Sequence, residues 1–105
     1  MLDNIINYTD TNNNNILHLI VKRNNIKLMK KILEKLLKHG SLSDIINKPN
    51  NQGNTPLHLA VKNNSVPLTN ILLDYGAIKA IPNINGNTIQ LGGNRTISYK
   101  GKRYL

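Results

Sequence analysis

Hydrophobic residues recur at helical spacing in four stretches of the chain, and each stretch is bounded by residues that start or stop helices. In one stretch, Leu57, Ala60 and Val61 share a face at i, i+3 and i+4, directly after Thr55-Pro56, a good cap followed by a residue suited to the first turn. The pattern predicts helices over residues 16–23, 26–39, 56–63 and 66–75.

The second and fourth helices also carry predicted stops. Gly40 and Gly76 follow them as left-handed C-caps, and Ser65 can cap the fourth helix at its start. The apolar side of the second helix is predicted to contain Met29, Ile32, Leu33, Leu36 and Leu37, and that of the fourth Leu68, Ile71, Leu72 and Tyr75. Asn85-Gly86, with Pro82 before it, predicts a turn or hairpin over residues 77–86.

The chain repeats itself. Residues 5–24 match residues 45–64 at ten of twenty positions after a shift of 40, and five residues between 49 and 55 recur after a shift of 33. A fixed period in this range is typical of stacked repeats. The unit is helix, turn, helix, glycine and hairpin, and its first copy is predicted to have one extra helical turn and three extra loop residues before Gly53.

The motif Gly53-Asn54-Thr55-Pro56-Leu57-His58-Leu59-Ala60 resembles the ankyrin repeat, and Gly86-Asn87-Thr88 begins another copy. The first copy departs from the motif, with Asn13, Asn15 and Ile16 at the Gly, Thr and Pro positions. The third copy loses the motif at Gln90. The resemblance covers roughly residues 3–91. It implies an all-α ankyrin-repeat solenoid of two helix pairs with connecting hairpin loops.

The predicted organisation is therefore an ankyrin-repeat domain over residues 1–91 and a basic tail over residues 92–105 that the fold does not require. About three repeats are normally needed for a stable stack, so two helix pairs are marginal. The longer second helix of the first copy, self-association or a longer parent chain would each add buried area, and the sequence leaves these alternatives open.

The resemblance also implies the function, which is to bind a protein partner. Ankyrin proteins usually meet their partners with hairpin tips and first helices. Carried over position by position, the contact surface is predicted to be Thr11, Asn12, Asn14, Lys22, Arg23, Asn51, Gln52, Asn54, Lys62, Asn63, Asn85 and Asn87. This surface is rich in amides, positive and without acids, so it should prefer an acidic or polar partner.

Catalytic and metal-binding chemistry find little support. The chain has no Cys, and its five acids are scattered singly, so no carboxylate pair, nucleophile–base pair or phosphate-binding loop is visible. His18 and His58 occupy the position at which the ankyrin His hydrogen-bonds near the helix start and joins neighbouring repeats. We therefore expect structural histidines, no metal, no cofactor and no enzymatic activity.

Charge adds one alternative. The net charge is +9, made up of +6 from residues 22–38, +4 from the tail and −1 from the rest of the chain. Lys27, Lys30, Lys31, Lys35 and Lys38 are interpreted as a solvated face. The tail mixes Arg95, Lys100, Lys102 and Arg103 with Tyr99 and Tyr104, so the alternative function is a basic adaptor whose tail binds nucleic acid or another polyanion weakly.

The first residues and the composition predict location and source. The first residues lack the pattern of a signal peptide, and no apolar run is long enough to span a bilayer, so we expect a cytoplasmic or nuclear protein. The abundance of Asn, Ile and Lys is typical of an A/T-rich genome, and the Tyr-Lys-Gly-Lys-Arg run of the tail resembles basic appendages on proteins of large DNA viruses. A viral protein would work inside its host cell.

Overall fold

The computed structural model describes residues 2–86, 89–91, 97–99 and 102–104, with side chains described for residues 4–86. The helices are α1 (Leu2–Ile6), α2 (Ile16–Arg23), α3 (Ile26–His39), α4 (Leu42–Ile45), α5 (Pro56–Lys62) and α6 (Val66–Asp74). The strands are β1 (Ile89–Leu91), β2 (Ile97–Tyr99) and β3 (Lys102–Tyr104). The four helices predicted from the sequence are confirmed within one residue at each end.

The caps explain why these helices begin and end where they do. Asn15 and Thr55 accept hydrogen bonds from the first-turn amides of α2 and α5, which satisfies backbone donors that have no partner inside a helix. Ser65 accepts from the amide of Leu68 at the start of α6. Gly40 ends α3 in the left-handed region, with φ 84°, where glycine avoids the Cβ clash of other residues.

Two helix pairs, α2–α3 and α5–α6, stack side by side around one apolar core. α2 packs against α5, and α3 packs against both α2 and α6. The largest apolar side chains of the core are Leu17, Ile20, Met29, Leu33, Leu36, Ile46, Leu57, Leu68 and Leu72, each at most 2% exposed. Because every helix contributes to this core, neither pair buries its apolar face alone.

Two details of the sequence prediction are wrong. The extra residues between Gly40 and Gly53 were predicted to be loop, but Leu42–Ile45 in this stretch forms a helical turn because Leu42 and Ile45 are both buried in the core. Leu37 was placed on the apolar side of α3, yet its side chain is 55% exposed. At 100° per residue, Leu37 lies closer to the exposed Lys30 than to Leu36 around the helix.

The C-terminal strands form a three-stranded antiparallel sheet in the order β1-β2-β3. Ile89 pairs with Tyr99 and Ile97 pairs with Tyr104, and β2 approaches α5. β1 precedes the domain boundary predicted after Leu91, and this boundary remains a prediction. In the described part of the chain, no helix has the length and apolar character needed to cross a membrane.

Candidate interaction groove

Three tight turns project from the helix pairs, and each is organised by one polar side chain at its start. The Asp10 carboxylate accepts hydrogen bonds from the amides of Asn12 and Asn14, both at 2.9 Å. The Asn50 Oδ1 atom accepts from the amides of Gln52 and Asn54, both at 3.0 Å. These bonds fold the chain back on itself as an Asx turn does.

The third turn follows the same plan, with the Asn83 Oδ1 atom accepting from the amide of Asn85 at 3.0 Å. One residue in each turn has a positive φ: 63° at Asn13, 74° at Gly53 and 77° at Gly86. The first copy therefore departs from the family motif without losing the turn, because Asn tolerates the left-handed region better than most residues. We call residues 10–14, 50–54 and 83–86 the turn tips.

The turn tips are joined to one another by amide side chains. The Asn50 Nδ2 atom donates to Asn14 Oδ1 at 2.8 Å, and the Asn83 Nδ2 atom donates to Asn54 Oδ1 at 3.1 Å. Each donor lies one repeat after its acceptor. We call these two side-chain bonds, together with the backbone bonds from Asn51 to Asn12 and from Ile84 to Gln52, the amide ladder.

Backbone hydrogen bonds run beside the side chains of the amide ladder. The amide of Asn51 donates to the carbonyl of Asn12 at 3.0 Å, and the amide of Ile84 donates to the carbonyl of Gln52 at 3.1 Å. The three turn tips are thus fixed at one spacing, since a tip that moved away would leave polar groups without partners.

His18 joins the first repeat to the second, as the sequence predicted for a structural histidine. The amide of Asn15 donates to its Nδ1 atom at 3.0 Å, so the ring proton sits on Nε2, which is 2.7 Å from the carbonyl oxygen of Asn54. The imidazole is 0% exposed. Desolvation by burial lowers the pKa of His18, outweighing the Asn54 carbonyl, which raises it.

His58 has the equivalent place in the second repeat. The amide of Thr55 donates to its Nδ1 atom at 3.0 Å, and the Thr55 hydroxyl lies 2.8 Å from the same atom. Both histidines therefore cap their own helices from within the core. Among the described residues, no group of three His, Cys, Asp or Glu side chains could hold a metal ion.

A groove of about 600 Å³ lies between the turn tips and the first helix of each pair. Its lining comprises Asn12, Asn14, Lys22, Asn50, Gln52, Asn54, Leu59, Lys62, Asn63, Asn83, Ile84 and Asn85. Lys22 and Lys62 are exposed and lie in the last turns of α2 and α5. None of the described residues that line the groove is acidic, so the charge of this lining is positive.

Eight of the predicted contact residues line this groove. Asn12, Lys22, Gln52, Lys62, Asn63 and Asn85 do so with exposed side chains. Asn14 and Asn54 form part of its floor, 1% and 6% exposed, with their side-chain oxygens held in the amide ladder. Thr11, Arg23 and Asn51 are exposed but do not line the groove, and Asn87 lies outside the described residues.

Sequence reasoning missed two apolar lining residues, Leu59 and Ile84. Leu59 belongs to the repeat motif, where it could be taken for a core residue, and it is 9% exposed at the groove wall. Ile84 is 71% exposed at the third turn tip. It stands 33 residues after Asn51, so the repeat alignment itself could have placed it on the contact surface.

Asp10 is a carboxylate near this positive region, and hydrogen bonds within its own turn stabilise its negative charge. The hydrogen bond from the backbone of Asn14 is the largest cause of its lowered pKa, followed by that from the Asn14 side chain. The field of Lys22 acts in the same direction. Asp10 thus serves the turn as an ionised acceptor.

Comparison with known proteins agrees with this architecture. The family model described as ankyrin repeats (3 copies) matches residues 1–85. No curated protein matches the sequence. A chain in the crystal structure of the yeast ribosomal protein Rps3 in complex with its chaperone Yar1 has the same fold, with a TM-score of 0.75 and 25% sequence identity. The match covers 82% of the present chain and 61% of the yeast chain.

Proposed function

Because the chain belongs to the ankyrin-repeat family, whose repeats are protein-interaction modules, we propose that its groove binds an acidic or polar segment of another protein. The observation that carries this proposal is the composition of the groove. Lys22 and Lys62 offer positive charge, exposed amides surround them, and the lining that the structure describes contains no acid. The family is typically non-enzymatic, which agrees with a binding role.

The groove offers both kinds of contact that a specific interface needs. Lys22 and Lys62 lie at equivalent places on α2 and α5, one repeat apart, so they can steer the same acidic segment. Ile84 and Leu59 add apolar surface beside them, where a partner's side chain could be desolvated. The amide ladder holds the turn tips in place before a partner arrives, which reduces the ordering cost of binding.

The yeast complex supports a role in holding a protein, since one of its components is a chaperone bound to its partner. That likeness concerns the kind of interaction. For the present chain we propose a partner segment that is rich in carboxylates and amides and lies across both repeats.

Charge reversal on two surfaces tests the proposal. The triple variant Lys22→Glu, Arg23→Glu, Lys62→Glu changes the groove and its border, whereas Lys27→Glu, Lys31→Glu, Lys35→Glu changes α3 by the same total charge. Each would be used as bait in nuclease-treated lysate of the source cells. We expect the groove variant to lose protein partners that the wild type and the α3 variant retain. The opposite ranking would place the protein-binding site on α3.

A further inference from the structure

The outer face of α3 carries a concentration of charge that the groove does not use. Five exposed side chains, those of Lys27, Lys30, Lys31, Lys35 and Lys38, project from this one helix. We call them the lysine stripe. From the first to the last they extend about 17 Å along the helix, at 1.5 Å per residue. Their positions fall within one side of the helix, opposite the buried Met29 and Leu36.

The lysine stripe is little balanced by acid. Glu34 is the single carboxylate of α3, and it accepts a hydrogen bond from the Tyr75 hydroxyl after α6. This contact raises the pKa of Tyr75, the hydrogen bond itself being the largest cause. α3 therefore presents a strong positive field to solvent.

The second repeat shows that this charge is not a general property of the outer surface. α6 is the equivalent helix, and its sequence VPLTNILLD contains neither Lys nor Arg. If the lysines served only to keep the protein in solution, one outer helix would not need all of them. Of these two outer helices, only α3 carries lysines, so a ligand that used this charge would meet the first repeat.

We propose that the lysine stripe binds the phosphate backbone of double-stranded DNA without reading its sequence. Lysines four positions apart are about 6 Å apart along the axis, while duplex DNA presents a charge about every 1.7 Å. Each lysine can therefore reach a phosphate of its own. Phosphate contacts of this kind position a protein on the duplex and carry no base information.

The composition of α3 favours this ligand over two other polyanions. Protein interfaces are depleted in Lys and enriched in Arg and aromatic residues. The stripe contains only Lys, whereas the groove sets its two lysines beside Leu59, Ile84 and several amide side chains. Membrane-surface helices bury their apolar face in the lipid, but the apolar face of α3 is already buried in the core. Only one large apolar side chain of this helix, that of Leu37, is exposed, so α3 has little apolar surface left to enter a membrane.

Affinity measured across a salt series tests the inference with the full chain. The probe is a fluorescently labelled DNA duplex of arbitrary sequence, followed by anisotropy between about 50 and 200 mM salt. The stripe variant is Lys27→Gln, Lys31→Gln, Lys35→Gln. The control variant Lys48→Gln, Lys79→Glu lowers the net charge by the same three units at exposed positions outside both the stripe and the groove. Both variants should remain folded because the substituted positions are exposed, and circular dichroism would check this.

Each phosphate contact contributes about −0.9 to the slope of log affinity against log salt. The stripe variant should therefore lower the magnitude of this slope by about 2.7 and weaken binding at least about tenfold at low salt, while the control changes it by less than one contact. Equal losses in both variants would show a response to net charge alone. No loss of affinity in either variant would indicate that any DNA contact is made by the tail. Stripe-dependent binding to phosphatidylserine vesicles but not to DNA would identify a membrane ligand. Each of these three results would overturn the proposal.

Discussion

Gly53 is the position where the packing of the turn tips can be measured most directly. A Cβ atom added there would lie 2.6 Å from the backbone nitrogen of Ile84 and 3.2 Å from the carbonyl carbon of Asn83. Both contacts are to backbone, so no side chain can rotate away. The Gly53→Ala variant must therefore push the third turn tip outward or shift the second.

The cost has two parts. A non-glycine residue at φ 74° carries a strain of about 1–2 kcal/mol. Displacing Ile84 also breaks its 3.1 Å hydrogen bond to the carbonyl of Gln52, which contributes about 1 kcal/mol. Together with residual repulsion, we expect a loss of about 3 kcal/mol in the free energy of unfolding.

Gly40→Ala is the matched control. Gly40 has φ 84°, and no described atom would lie within 4 Å of its added Cβ, so only the strain remains. The effect of Ala on the unfolded chain is the same in both variants and cancels in the comparison. A difference of about 1–2 kcal/mol should lower the melting temperature of Gly53→Ala by at least about 4 °C relative to Gly40→Ala.

The assay is thermal and urea unfolding followed by circular dichroism on both variants and the wild type. Equal melting temperatures for Gly53→Ala and Gly40→Ala would refute the reasoning. The turn tips would then separate without cost, and the amide ladder could not be said to fix the groove.

Three further predictions follow from buried polar groups. Because burial lowers the pKa of His18, the unfolded chain binds more protons than the folded one below pH ~6.5, so stability should fall as pH drops from 7 to 5. The His18→Gln variant should show a smaller change of melting temperature with pH. An unchanged pH dependence would assign the effect to other groups. Thr69→Val should raise stability by about 1 kcal/mol in urea titrations, because its hydroxyl is buried with no partner among the described residues, and a loss would reveal one. Asn50→Ala should cost about 2–4 kcal/mol, since it removes bonds to Gln52, Asn54 and Asn14. Asn51 is exposed and makes one side-chain contact, at 3.4 Å, so the Asn51→Ala variant should lose less than about 0.5 kcal/mol. Similar losses in both variants would contradict a stabilising role for the amide ladder.

The helices were predictable because their signals are local. Thr55-Pro56, Ser65 and Gly40 act within one or two turns, so the sequence alone placed the four main helices. α4 was missed, although Leu42 and Ile45 recur 40 residues after Leu2 and Ile5, where α1 forms. A four-residue helix is too short to show helical periodicity, and only its burial against the core stabilises it.

The sequence could not predict which amide side chains bond to a neighbouring repeat and which face solvent. Asn12 and Asn14 differ by two positions, yet one is exposed and the other is 1% exposed and bonded to Asn50. An amide can donate and accept equally well to a neighbouring repeat or to a partner. The choice depends on the distance between turn tips, which is set by helix packing far along the chain.

The amide ladder also bears on how such a chain can grow. Asn50 reaches back to Asn14 in the same way that Asn83 reaches back to Asn54, so each copy of the unit carries its own connector to the copy before it. A duplicated segment inserted at this junction would arrive with the donor and the acceptor that it needs on both sides. At the turn tips, lengthening by gene duplication would then require no new polar contacts, and the number of units could change while the hydrogen bonds between neighbouring tips stayed the same.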